Sequence, residues 1–235
     1  MKNRNHIRGK NRFWDKEYDE KKHLRLSDKP SGDLIKFIRW LRRNHRPHES
    51  PEMTTVADLG AGNGRNLIYL ARTLGMRGTG FDISEKAVEC ARKNADGLPV
   101  SVSVRSIADS LPLEDNSQDL VLDMMTSHFL TARERENLRR EILRILKPGG
   151  WLFYKTFLLE GDLHAKRLIK KYPADEPDTY IHPSIGKAEH VSTEQEIRDA
   201  YGKFFLIHRM RKSHRHILKG RAFKRRTVSV YMQKR

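Results

Sequence analysis

Three glycines, Gly60, Gly62 and Gly64, alternate within "VADLGAGNGRN" at 56–66, two residues after the carboxylate of Asp58. Backbone so poor in side chains turns with positive φ or comes close to another object. An apolar run precedes the glycines and a helix-like run, 65–75, follows them. A glycine bend between a strand and a helix N-terminus is a common nucleotide cradle. Two more acids, Asp82 in "GFDIS" and Asp109 in "IADSLPL", fall where later strands end. In an open parallel sheet, ligands sit beyond those carboxyl ends. A Walker-type loop would need Gly-Lys-Ser/Thr, which is absent. A dinucleotide fingerprint would need glycine where Arg65 stands.

A second group of reactive side chains follows the fourth apolar run, in "DMMTSH", which ends in Thr126, Ser127 and His128. Histidine is the side chain best suited to proton transfer near neutral pH. His128 is equally placed to serve only as a hydrogen-bonding loop residue. His164, His182 and His190 lie further on, and no Cys/His cluster has zinc spacing, so no metal is expected. The only thiol, Cys90, falls in a helix away from the expected site, which argues against chemistry through a cysteine adduct.

These residues need a scaffold, and the chain alternates strand and helix in a way that supplies one. Strands are expected at "TTVADL", 78–83, 100–104, 119–125 and 151–158. The run at 119–125 is read as apolar on both sides of the strand, with Leu120, Val121 and Leu122 consecutive, as in a strand covered on both faces. Helices are expected at 65–75, from the Ser84 cap to about Asn94, and after the Thr131/Glu134 capping box. The last of these should stop at "LKPGG". Before the alternation, "FWDKEYDEKK" reads as a short helix sharing Phe13, Trp14 and Tyr18 on one face. Ser31 caps a helix with a Leu34, Ile35, Ile38 and Leu41 stripe. After it come a helix at 163–171, an irregular stretch at 172–190 and a second capping box, Thr193 and Glu196. Two β-like runs, 204–210 and 226–232, then pair antiparallel. Such alternation implies right-handed crossovers and a parallel sheet. The expected architecture is α/β, a Rossmann-like doubly wound seven-stranded sheet with a C-terminal antiparallel hairpin. Residues 1–30 form a basic arm and short helix, and 31–235 a single domain with an insertion at about 159–190.

The 235 residues carry a net charge of +17, and 37% are hydrophobic, enough for one core. No apolar segment approaches the length of a membrane span. The basic start lacks an apolar signal core, and one cysteine allows no intramolecular disulfide, so a cytoplasmic location is expected. Positive charge concentrates at both ends. From Phe204 to Arg235 there is no acid. That balance suits a polyanion such as RNA.

With these motifs in hand, the chain resembles the class I S-adenosylmethionine-dependent methyltransferases. "DLGAGNG", "GFDIS", "IADSLPL" and "LKPGGWL" match in order over roughly residues 54–158. The resemblance implies S-adenosylmethionine as cofactor. Gly60, Ala61, Gly62 and Gly64 would lie against its amino acid and ribose, with Asp58 meeting the ammonium group. Asp82, followed by Ile83, would accept from the ribose hydroxyls. Asp109, with Ile107 and Ala108 alongside, would take the adenine amino group. Asp123 and Met124 would face the methionine part and the methyl, and Trp14 would close over the cofactor. His128 and Asp123 are the catalytic candidates. Ser127, His190, Arg221, Phe223 and Lys224 are candidate substrate contacts. "DMMTSH" lacks the Asn/Asp-Pro-Pro-aromatic signature of amino-group base methyltransferases. The basic ends favour RNA as acceptor. The alternatives are a small molecule beneath the 159–190 insertion, or an RNA-binding protein that kept the fold without activity.

Overall fold

The computed structural model describes residues 12–20, 27–44, 54–214, 217–218, 221–222 and 225–235. A helix at 12–20 (α1) precedes α2 (Gly32–Asn44). The alternation then runs β1 (Thr55–Leu59), α3 (Arg65–Leu74), β2 (Arg77–Asp82), α4 (Glu85–Asn94), β3 (Val100–Val104) and β4 (Gln118–Met124). A 3₁₀ turn, Ser127–Phe129, leads to α5 (Ala132–Ile145) and β5 (Leu146–Phe157). Next come α6 (Leu163–Lys171), β6 (Thr179–Ile181), β7 (Ala188–His190), α7 (Glu194–Tyr201) and β8 (Phe205–Lys212). Two short strands, β9 (Ile217–Leu218) and β10 (Arg221–Ala222), precede β11 (Thr227–Lys234).

Seven strands form one sheet in the order β3-β2-β1-β4-β5-β11-β8. The first five are parallel, and β11 pairs antiparallel with both β5 and β8. Strand order reverses between β1 and β4, where the crevice of a doubly wound sheet opens. The helices cover both faces. On one, Phe37 of α2, Leu67 of α3 and Val88 of α4 pack with Leu120, Leu122 and Phe153. On the other, Leu138 and Ile142 of α5 and Ile197 of α7 pack with Val121 and Leu152. This two-sided cover explains the three consecutive apolar residues of β4, Leu120, Val121 and Leu122, all fully buried. Removing such a side chain from water contributes about 1.5–3 kcal/mol.

Local signals act as expected at the helix ends. Thr131 and Glu134 close a reciprocal capping box on α5. Thr193 caps α7, but the Glu196 carboxylate turns instead to His190. Two expectations need correction. Strand β5 begins at Leu146 rather than 151, with a register shift between Gln118 and Leu120 of its partner. Gly150 sits in that irregularity, where a Cβ would fall 2.9 Å from the Lys147 carbonyl oxygen. The "irregular" stretch 172–190 contains an antiparallel hairpin, β6–β7, over a small core of Ala165, Tyr180 and Val191. Three-residue strands are too short to carry a readable alternation.

Candidate active site

The loops leaving β1 and β4 meet at the switch point. A Cβ on Gly60 (φ +86°) would lie 2.2 Å from Thr126 Oγ1, and one on Gly62 (φ +56°) 2.5 Å from the Tyr18 hydroxyl. Bare backbone is therefore required twice over, by left-handed conformation and by close approach. Gly64 (φ 76°) then starts α3, whose first N–H groups face the same bend. Directly after β4, Met125 adopts a left-handed φ of 61°, an uncommon strain for a non-glycine residue.

Three carboxylates converge here. Asp82 Oδ2 accepts the Gly62 N–H at 2.8 Å and Oδ1 the Ser84 N–H at 2.9 Å. Each oxygen keeps a further lone pair. Burial holds the Asp82 pKa above the usual carboxylate range despite those bonds. Asp58 is fully buried, and its Oδ2 has no hydrogen-bond partner among the described residues. Burial, then the Asp82 charge, raises it to about 7. Asp123 Oδ1 accepts the Ser127 N–H at 3.3 Å while Oδ2 has no partner among the described residues, and burial raises its carboxyl to about 6. Buried acids lacking partners favour a cationic ligand group, which would restore their charged forms.

Asp109 stands in the turn after β3, donating its N–H to the Ser106 carbonyl at 3.3 Å. Ala108 donates its N–H to Ser106 Oγ, and Ile107 is buried behind them. Ala61 is anchored by its N–H to the Phe81 carbonyl at 3.0 Å, and Ile83 is half-buried beside Asp82. Met124 approaches α3, its sulfur 3.6 Å from Asn66 Nδ2.

Helix α1 lies over this crevice. Asp15 Oδ1 accepts from Ser84 Oγ at 2.7 Å and from the Lys86 N–H at 3.2 Å, fastening α1 to the start of α4. Trp14 packs edge-on against Phe129, ring centroids 4.8 Å apart, so it covers the β4 side of the crevice. Tyr18, not Trp14, covers the glycine bend. Burial, then Asp82, raises its hydroxyl pKa well above the ordinary value. The shared face of Phe13, Trp14 and Tyr18 was the available signal for this residue. Cys90 of α4 is near enough to Tyr18 to act on it electrostatically, closer to the crevice than expected.

His128 is 3% exposed, packed against Phe129 and Phe157, and its Nδ1 is unpartnered among the described residues. Burial, followed by Arg225, His190 and Arg135, lowers its pKa to about 3, so the ring is uncharged at neutral pH. Ser127 is buried beside it. His190 lies in the neighbouring hairpin with Nδ1 3.1 Å from Thr179 Oγ1 and Nε2 2.9 Å from both Glu196 oxygens. Both its nitrogens are engaged within the protein, which leaves none for the expected substrate contact. Phe223, Lys224 and the side chain of Arg221 lie outside the described residues. Among the described residues no group of three His, Cys, Asp or Glu could hold a metal ion.

A glycine bend at the switch point, three strand-end acids and an antiparallel last strand define a class I S-adenosylmethionine-dependent methyltransferase fold. Residues 56–150 carry a methyltransferase domain of that class. The model of the methyltransferase domain family matches residues 56–150. A phthiotriol/phenolphthiotriol dimycocerosates methyltransferase of Mycobacterium ulcerans is 33% identical over 156 residues, covering 65% of this chain and 52% of that protein. A glycine/sarcosine/dimethylglycine N-methyltransferase of Actinopolyspora halophila is 36% identical over 108 residues, 45% of this chain and 19% of that protein. The chain spans about half the length of the first of these. A solved S-adenosylmethionine-dependent methyltransferase of Methanosarcina mazei shares the fold, with TM-score 0.67, 22% identity, and 88% and 98% of the two chains covered. The cofactor of this family is S-adenosylmethionine, and the residues fit it. The bend is bare where a Cβ would intrude, and the buried Asp58 Oδ2 has no partner among the described residues.

Proposed function

We propose that the chain transfers a methyl group from S-adenosylmethionine to a small acceptor held in an enclosed crevice. The observation that carries the acceptor class is the roof over the end of β4. Ser127 and His128 are buried, Trp14 packs on Phe129, and β7 lies against the 3₁₀ turn. Such a roof admits a small molecule more readily than a folded nucleic acid. Two relatives act, by name, on dimycocerosates and on glycine and its N-methyl derivatives, which supports the same reading.

The donor supplies an activated methyl on a sulfonium, so the protein's task is mainly to hold two partners in line. Positioning of this kind is worth roughly 7–11 kcal/mol. In this reading Asp82 and Asp109 hold the adenosine, and Asp58 pairs with the ammonium group beside Gly60, Gly62 and Gly64. Asp123 and Met124 border the reacting end. His128, being uncharged, accepts a hydrogen bond or a proton from the acceptor, with Asp123 as the second candidate. The competing reading, an RNA acceptor, rests on exposed Arg209, Arg211 and Lys212 along the edge strand β8. Incubating the purified protein with labelled donor and fractionated cell extract separates them. Label in the small-molecule or lipid fraction supports the proposal. Label in RNA overturns it for the second reading. Donor binding with no label in any fraction favours a protein that kept the fold without activity.

A further inference from the structure

Arg225 stands where four parts of the chain meet on the acceptor side, and no motif marks it. Its Nε donates to Asp162 Oδ2 at 3.1 Å, and its Nη1 donates to the Tyr180 hydroxyl and lies 3.4 Å from Glu189 Oε2. Its guanidinium carbon sits 4.0 Å from the centroid of the Phe157 ring and 5.1 Å from that of Tyr180. Asp162 is fully enclosed, caps α6 through the Ala165 N–H and accepts the Arg226 N–H. Tyr180 and Glu189 face each other across β6–β7 and hydrogen-bond directly. Phe157 ends β5 and touches the His128 ring at 4.9 Å between centroids.

We propose that Arg225 is a positioning residue, which clamps the β6–β7 hairpin and Phe157 against the 3₁₀ turn and so fixes the His128 ring at the acceptor end of the crevice. The proposal rests on the methyltransferase reading above and assigns that site its organising side chain. Three features favour a clamp over an incidental surface pair. Two buried carboxylates, Asp162 and Glu189, pair with this one guanidinium, and removing it would leave both charges buried with only neutral donors beside them. The flat group stacks on two rings while bonding at its edge, which a lysine ammonium cannot do. Its positive charge also acts on His128 together with Arg135 and His190, opposing protonation of the ring.

The test compares Arg225→Lys and Arg225→Met with the unmodified protein in three measurements. Calorimetry with S-adenosylhomocysteine reports on the donor site. Amide exchange reports on 179–191. An NMR pH titration reports on the His128 ring. Both variants are expected to bind S-adenosylhomocysteine as the unmodified protein does, and to exchange about tenfold or more faster across 179–191. The His128 ring should titrate at higher pH in R225M, which lacks the cation, and less so in R225K, which keeps it. Unchanged exchange and an unchanged His128 titration in R225M overturn the proposal. If R225M does not fold, R225K decides, because unchanged exchange there shows that the planar fork is not needed. Failure of the unmodified protein to bind S-adenosylhomocysteine overturns the methyltransferase reading and this role with it, an outcome distinct from either variant result.

Discussion

Asp58 combines deep burial with an oxygen that nothing in the described protein satisfies. Its carboxyl, at about 7, lies above the unfolded value of roughly 3.9. The folded protein thus holds a proton that the unfolded chain releases. The associated stability is fully present below about pH 4 and fades as pH rises through 7. A bound cation reverses the preference. Affinity for S-adenosylmethionine should therefore rise between about pH 5.5 and 7.5, by up to about tenfold per unit, with release of a proton. Calorimetry in two buffers of different ionisation heat measures that release, and Asp58→Asn should abolish it and flatten the pH dependence. Gly60 makes a steric prediction at the same scale. Alanine there must adopt φ +86° and overlap Thr126, which costs about 2–4 kcal/mol in denaturant unfolding. Adding Thr126→Gly should recover only the part due to overlap.

Among the elements, α1 covers the crevice through attachments made by particular side chains. Its hydrogen bonds to the start of α4 run through Asp15, which receives the Ser84 hydroxyl and the Lys86 N–H, beside an exposed Asp19–Lys86 ion pair at 4.0 Å. Asp15→Ala removes both hydrogen bonds, a loss of about 1 kcal/mol of docking. S-adenosylhomocysteine should then dissociate about fivefold faster in stopped-flow measurements, with a nearly unchanged unfolding midpoint. A large fall in the midpoint would show instead that α1 belongs to the folding core. The β6–β7 hairpin covers the other side by different means, through buried charge and stacked rings around Arg225.

At the scale of the whole molecule, both covers depend on a sheet whose centre is packed from two sides. Phe37 of α2 stacks on Phe153 with centroids 4.9 Å apart, and also meets Trp151 and Tyr231. It thereby joins α2 to β5 and β11. Phe37→Ala should cost about 3–5 kcal/mol in chemical denaturation. The periodic stripe read for α2 held Leu34, Ile35, Ile38 and Leu41, yet Phe37 is fully buried and Ile35 only half-buried. Helical spacing finds a face to within a residue or so. What lies opposite decides its centre.

The order of elements, the glycine bend, the strand-end acids and the caps at Ser84 and Thr131 were legible because each depends on neighbours close in sequence. Gly60 needs its left-handed turn wherever the chain goes afterwards, and Ser84 caps α4 through the N–H of Ala87 three residues on. Tyr18 over Gly62, Arg225 between Asp162 and Glu189, and the satisfied ring of His190 were decided only by the tertiary structure. The partners of Tyr18 and Arg225 are far away in the chain, those of His190 lie across a hairpin and a cap, and burial, not spacing, selects which group meets which. A lone arginine in a basic run reads as solvated until a fold encloses it beside two carboxylates and two rings.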